Sequence, residues 1–238
     1  MVLILFSLAT SLLMLGVSAL TLVKRERGAA TCLLAAALVT GAFLEVSETL
    51  GLTSSSDYLL WKRATVSLEG FFPVLLFLFS IFYARKFAWS STSAVTRILI
   101  LLSPILVISG ISLDPALLFY SPDFYFERML FLSNPGFVFY IAVFIYLVAA
   151  LFNLEATFRS ALRLEQWQIK FTIIGAGTLL AFFIFYYSQG LLYRSINMNL
   201  SPLRTLALFV SGVLLTYSLR RSSRSMNISI SKEMAFRS

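Results

Sequence analysis

The stretch FVFYIAVFIYLVAALFNLEATFRSALRLEQWQIKFTIIGAGTLLAFFIFYY (residues 137–187) decides the fold of this chain. It belongs to two long apolar runs, at about 135–154 and 170–192, which a polar cluster at 163–170 separates. A helix needs about 20 mostly apolar residues to cross a bilayer, and each run has that length. A helix also satisfies its own backbone hydrogen bonds in lipid. The stretch therefore predicts two membrane-spanning helices joined by a short polar connection.

The composition of the whole chain agrees with this reading. Of 238 residues, 59% are hydrophobic and 13% are charged, with a mean hydropathy of +0.87. A soluble domain carries about 25% charged residues. We predict an all-α polytopic membrane protein, a bundle of about seven transmembrane helices. The apolar runs lie at about 2–23, 28–49, 65–84, 98–113, 135–154, 170–192 and 203–219.

Basic residues predict the direction of the spans. The net charge is +8, and the basic residues lie in short connections between apolar runs. Strict alternation puts fourteen of the 19 on one side and five on the other. Because basic loops stay in the cytoplasm, we expect the N-terminus outside and the C-terminus inside. The charge is thus explained by topology, and no nucleic-acid partner is predicted.

Several chemistries are excluded by residue types that the sequence lacks. Histidine is absent, which removes histidine-ligated metal sites and histidine-assisted nucleophiles. Cys32 is the one cysteine, so no disulfide forms within the chain. No glycine-rich phosphate loop or metal-ligand spacing is present. The sequence therefore predicts no cofactor, no metal site and no catalytic residues.

Acidic residues inside the apolar runs are the candidate sensing site. A charge within a span is costly in lipid, so such residues commonly serve a function. Two acids lie near the outer end of the second span and one lies early in the third, at depths where Arg194 and Arg204 could pair with them. The alternative is that the acids reach the interface or pair with Lys62 or Arg63. The predicted ligand or sensing residues are Glu45, Glu48, Glu69, Tyr187, Gln189 and Arg194.

The polar connection at 163–170 is a candidate for signal coupling. Arg163, Trp167 and Lys170 share one helix face, and Glu155 and Arg159 have the i, i+4 spacing of a helical ion pair. Tryptophan and lysine are also typical of the membrane–water interface, so simple anchoring is the alternative. We assign Glu155, Arg159, Trp167 and Lys170 to signal coupling.

Three stretches resemble the membrane region of a bacterial sensor family. NLEATFRSALRLEQWQIKFTIIGAG (153–177), WKRATVSLEGFFPVLLFLFSIFYAR (61–85) and YYSQGLLYRSINMNLSPLR (186–204) are similar to segments of PrsK-type histidine kinases of the PEP-CTERM/exosortase system. The resemblance covers most of the chain and keeps the three segments in order. It implies a multi-pass sensor domain in a bacterial inner membrane.

The resemblance also carries expectations about partners. It implies a homodimeric kinase that acts on a response regulator in a two-component system, with GAF and kinase domains following residue 238. We expect a sensor domain at 1–219 and a basic cytoplasmic tail at 220–238. The competing hypothesis is a stand-alone small transporter or lipid-binding membrane protein.

Overall fold

The computed structural model describes residues 2–24, 28–53, 58–83, 93–120, 129–161 and 163–235. Their helices and strands, in chain order, are α1 (Val2–Lys24), α2 (Ala29–Thr53), α3 (Tyr58–Phe82), α4 (Ala94–Ser112), α5 (Pro115–Leu118), β1 (Phe119–Tyr120), β2 (Met129–Leu132), α6 (Asn134–Ser160), α7 (Arg163–Leu192), β3 (Ser195–Asn197), a short 3-10 helix (Met198–Leu200) and α8 (Ser201–Ala235). Seven of the described helices are long and apolar enough to cross a membrane. The predicted all-α polytopic bundle is confirmed.

Six of the long helices form a closed ring in the described part of the chain. Around the ring, α1 packs on α2, α2 on α3, α3 on α6, α6 on α7, α7 on α8, and α8 returns to α1. Fully buried aromatic and aliphatic side chains fill the middle, and the rings of Phe72 and Phe183 lie 4.9 Å apart there. The interior is therefore a packed core.

Helix α4 lies outside this ring, against α3 and α6. It crosses α3 where two glycines meet. A Cβ on Gly110 would lie 3.2 Å from Gly70 Cα and 3.1 Å from Val66 O. Ser67 Oγ donates a hydrogen bond of 3.1 Å to Gly110 O at the same crossing. Most of α4 faces outward with apolar side chains, as expected for a helix at the lipid-facing edge.

A small antiparallel sheet closes one end of the bundle, which we call the strand end. Its order is β1-β2-β3, with Tyr120 opposite Phe131 and Leu130 opposite Ile196. This sheet was not predicted from the sequence. Its strands have two to four residues, too short for a periodic signal, and β2 pairs with a strand more than sixty residues away.

Several helices begin earlier or end later than the apolar runs. The third was predicted to begin at 65 but begins at Tyr58, and the sixth was predicted to begin at 170 but begins at Arg163. The seventh was predicted to end at 219 but continues to Ala235. Hydropathy detects the stretch that lipid surrounds, while a helix continues wherever its polar residues find water or partners. The 219/220 domain boundary thus falls inside a continuous helix.

A buried charge network at the strand end

Two acids on α2 pair with one arginine on α8. Glu45 and Glu48 are one helical turn apart, and Arg204 lies in the first turn of α8. Arg204 Nε is 3.4 Å from Glu45 Oε2, and its Nη1 is 3.3 Å from Glu48 Oε2. All three residues are at most 2% exposed. The pairing brings the second span against the last one, although 156 to 159 positions separate the partners.

Lys62 supplies a second buried cation. Its Nζ is 3.9 Å from Glu48 Oε2 and 5.1 Å from the ring centroid of Phe119. Lys62 is 3% exposed because α3 begins before it and carries it into the bundle. The next residue, Arg63, is exposed on the outside of the same helix. Of the two partners that sequence reasoning considered on α3, Lys62 is thus the one that meets an acid.

Hydroxyl groups complete the surroundings of Glu45. Ser7 Oγ of α1 donates a hydrogen bond of 2.9 Å to Glu45 Oε1, and Thr205 Oγ1 of α8 donates to the same oxygen. Ser7 Oγ also lies 2.6 Å from Thr49 Oγ1. Glu45 is therefore held by an arginine and two hydroxyl groups, which compensates for removing its charge from water.

Glu69 is held by two tyrosines. Tyr140 OH of α6 donates to Glu69 Oε2 at 2.6 Å, and Tyr187 OH of α7 donates to Oε1 at 3.0 Å. The two tyrosine rings lie 5.5 Å apart. Glu69 is 2% exposed and has no ion pair among the described residues. Neutral donors alone thus solvate this carboxyl group.

These contacts form two adjoining groups, one around Arg204 and one around Glu69, which the rings of Phe119 and Tyr186 connect. Together they are here called the buried charge network. It touches all six ring helices at the strand end. Among the described residues it contains three acids and two cations, so its formal charge is −1 when all are ionised. Burying ionic groups seldom adds stability over apolar packing of the same volume, so the network suggests a role beyond holding the helices together. Its members are Ser7, Glu45, Glu48, Lys62, Glu69, Tyr140, Tyr187, Arg204 and Thr205.

A cavity of about 440 Å³ lies between the end of α7 and the sheet. Tyr186 connects it to the network, since the Arg204 Cζ atom is 5.9 Å from the Tyr186 ring centroid. No group of three metal-ligating acids or cysteines occurs among the described residues. The cavity is lined by Met129, Tyr186, Gln189, Gly190, Tyr193, Ser195, Ile196, Asn197 and Leu200.

Comparison with known families identifies the family of this chain. Residues 3–224 match the family described as the N-terminal 7TM region of histidine kinase. The chain belongs to this family. No curated protein and no solved structure matches it. This match confirms the sequence-based identification of a multi-pass histidine kinase sensor region. The narrower PrsK-type assignment stays a prediction.

The predicted sensing residues of this 7TM region do not all meet. Glu45, Glu48, Glu69 and Tyr187 lie in the network, and Gln189 lines the adjacent cavity. Arg194 is exposed, and its guanidinium lies 4.7 Å from the Phe137 ring centroid. Its backbone has φ 47°, and its carbonyl accepts a 2.8 Å hydrogen bond from Leu132 N, which joins β2 to the end of α7.

Sequence reasoning missed Ser7, Tyr140 and Thr205 as network members. Serine, threonine and tyrosine are common in spans, and these three meet their acids across 38, 71 and 160 positions. The depth of each residue within its span was the one signal available from the sequence. Each lies close to the same end of its span as the acids, but depth alone does not select a partner.

The predicted coupling residues lie at the opposite end of the 7TM region. Arg159 Nη2 is 2.6 Å from Glu155 Oε1 in the expected i, i+4 pair, and both side chains are largely exposed. Lys170 is exposed. Trp167 belongs to α7, but its side chain lies outside the described part of the structure. These positions fit both the coupling and the anchoring interpretations.

Proposed function

We propose that this chain is the signal-input domain of a two-component histidine kinase in the bacterial inner membrane, with the buried charge network as the place where a stimulus acts. The observation that carries the proposal is the position of Arg204. It joins the network in the first turn of α8, a helix of 35 residues. At 1.5 Å per residue α8 is about 50 Å long, longer than the roughly 30 Å of bilayer hydrocarbon.

The network and α8 together suggest a route for the signal. A stimulus from the periplasm or the bilayer that changes the charge or hydration of the network changes the contacts of Arg204. Because α8 is continuous, a shift at its first turn reaches its last turn without a flexible joint. Kinase domains after the described helix then receive it. Glu155, Arg159, Trp167 and Lys170 at that membrane face are proposed to guide the movement.

The orientation is also part of the proposal. With the N-terminus outside and the C-terminus inside, the strand end faces the periplasm and Arg220 faces the cytoplasm. The distribution of basic residues supports this direction, since fourteen of 19 fall on the cytoplasmic side. A homodimer and a response regulator are the partners that we propose for the complete kinase.

The native protein tests the proposal directly. An antibody against the 220–238 tail would isolate it from membranes of the source cell, and labelled ATP would then be added. A kinase sensor predicts a band well above 26.6 kDa that incorporates phosphate. A band near 26.6 kDa without phosphate would contradict it.

The finer assignment to a PrsK-type kinase rests on the three resembling stretches. It predicts that deleting the gene lowers transcription of PEP-CTERM or exosortase genes in the source cell. Restoring the intact gene should restore those transcripts. Unchanged transcript levels after deletion would contradict the PrsK-type assignment but not the histidine kinase proposal.

One feature favours the alternative of a stand-alone transporter or lipid-binding protein. A groove of about 650 Å³ with almost entirely apolar walls lies between α4 and α6. Leu102, Ile105 and Val138 contribute exposed apolar side chains to it, and Ser109 and Asn134 lie nearer the strand end. Lipid that copurifies with a native protein of 26.6 kDa, and is lost after Ile105→Trp, would support this alternative.

A further inference from the structure

We infer that the cavity between α7 and the sheet is a binding site for an uncharged ring compound that carries hydrogen-bonding substituents. This inference rests on the proposed function and names the class of ligand that it would sense. The cavity has a volume of about 440 Å³, within the usual range for small-molecule sites. It is separate from the acids, which point into the network.

The walls combine ring surfaces with apolar side chains. The rings of Tyr186 and Tyr193 lie on α7 and the turn that follows it, while Met129 and Ile196 come from the facing strands. Tyr193 is 68% exposed, and Tyr186 is 5% exposed. Tyrosine rings favour flat partners through offset or edge-on stacking. The geometry thus suits a flat ring between α7 and the sheet.

Polar groups with unused hydrogen-bonding capacity also line the cavity. The Tyr186 hydroxyl and the Gln189 amide have no side-chain hydrogen bond with any described residue, and neither does Ser195. Asn197 uses its Oδ1 to accept from Asn199 N at 2.9 Å, which leaves its amide hydrogens free. The Tyr186 hydroxyl is not one of the fully buried unpaired atoms in the described part of the chain, so it is accessible and free to pair with a ligand group in the cavity.

The uncharged walls of the cavity indicate that its ligand is uncharged. Among the described residues, none of the side chains that line the cavity is acidic or basic. An ionised ligand would lose its hydration here without a counter-charge, which is costly. Arg204, which lies near Tyr186, does not line the cavity and forms ion pairs with Glu45 and Glu48. Hydroxyl, carbonyl or amide substituents on a neutral ring match the donors and acceptors present.

Tyr186 gives such a ligand access to the network. Its side chain lines the cavity, and its ring is 5.9 Å from Arg204 Cζ and 5.4 Å from the ring of Tyr187. Tyr187 in turn donates to Glu69. A ligand that moves Tyr186 would therefore disturb both halves of the network through direct contacts.

Ligand-observed NMR with two matched probes tests the site on the intact protein in lipid nanodiscs. Benzamide is a neutral ring with an amide, and benzoate is its anionic counterpart. We expect benzamide to bind with a dissociation constant on the order of millimolar, as its small size allows, and benzoate to bind about tenfold more weakly. Tyr186→Phe and Gln189→Leu should each weaken benzamide binding about three- to tenfold, the loss of one hydrogen bond.

Tyr217→Phe is the control, because this tyrosine is half exposed on α8 and does not line the cavity. Equal binding of the two probes, or benzamide binding that neither Tyr186→Phe nor Gln189→Leu weakens, would overturn the inference. If Tyr186→Phe misfolds, the result for Gln189→Leu tests the inference, since Gln189 is outside the buried charge network. Binding is measured without kinase activity, so a failed site and a failed sensor function give different results.

Discussion

Arg204 shows why single residues decide the behaviour of this bundle. One guanidinium lies between two acids on another helix and is 2% exposed. Removing one member of a buried ionic cluster leaves its partners charged in a medium that solvates them poorly. The change in the free energy of unfolding that a substitution causes here therefore depends on which charged groups lose their partner.

Arg204→Ala should lower the free energy of unfolding by about 3–5 kcal/mol, because Glu45 and Glu48 lose their shared cation. Denaturant titration of the purified protein in detergent measures this change. Arg63→Ala removes an exposed arginine beside Lys62 and should change stability by less than about 1 kcal/mol. Equal losses for the two variants would contradict the buried pairing.

Tyr140→Phe and Tyr187→Phe each remove one donor from Glu69. Each should cost about 1–3 kcal/mol, since the carboxyl group stays buried with one hydrogen bond fewer. Tyr217→Phe changes a half-exposed tyrosine and should cost far less. Thermal unfolding of the three variants under the same detergent conditions gives the comparison. A Tyr217→Phe loss as large as the other two would count against the Glu69 contacts.

At the residue scale, sequence reasoning found the acids but not their surroundings. Glu45, Glu48 and Glu69 stand out because a charge in an apolar run is unusual. Ser7, Tyr140 and Thr205 do not, because their contacts depend on how distant helices pack. Arg194 was predicted to pair with the acids because of its charge and its approximate depth, yet its side chain packs on the Phe137 ring.

At the element scale, close helix approaches depend on where glycine lies. A Cβ on Gly70 or Gly110 would lie 3.1–3.3 Å from backbone atoms of the facing helix. Gly177 and Ala181 are four positions apart in the sequence, a spacing of small residues that favours close helix packing in membranes. In the structure, a Cβ on Gly177 would meet only Leu151, at 4.0 Å. Spacing alone did not reveal which glycine faces a helix backbone.

Gly110→Ala should destabilise the protein by about 1–3 kcal/mol, because its new methyl group presses on the backbone of α3. Gly16→Ala is the matched control, since nothing lies within 4 Å of the added atom. That change should stabilise α1 by about 0.5–1 kcal/mol, the usual gain from replacing a helical glycine. Thermal unfolding of both proteins measures the difference. Equal effects of the same sign would contradict the α3–α4 crossing.

The elements themselves were largely predictable, and their ends were not. Seven apolar runs gave seven spans because lipid imposes a length on each helix. The extra turns of α3 before residue 65 contain Lys62, whose partner lies on another helix. The three-stranded sheet formed by β1, β2 and β3 depends on pairing between distant segments. Local pattern carries no information on either.

At the scale of the whole molecule, the direction of the bundle is open to a simple labelling test. In a Cys32→Ala background, Tyr193→Cys places a thiol at the strand end, and Arg220→Cys places one at the opposite end of the spanning part of α8. A membrane-impermeant maleimide added to intact cells should label only the first. Both should react after the membrane is opened. Labelling of only the second in intact cells would reverse the proposed orientation.

The central claim is that the buried charge network sets kinase output, and Glu69→Gln tests it most directly. Glutamine keeps the shape of the side chain, but its single carbonyl oxygen accepts from only one of the two tyrosines, Tyr140 or Tyr187, and its amide nitrogen donates to the other hydroxyl. With the other groups ionised, the change takes the formal charge of the network from −1 to 0. A shift of about 1 kcal/mol between two states changes their ratio about fivefold. The measurement is the phosphorylation of the native full-length protein in membranes, with Arg63→Gln as control at equal abundance. We predict a several-fold change for Glu69→Gln and none for the control; unchanged phosphorylation in both would contradict the account.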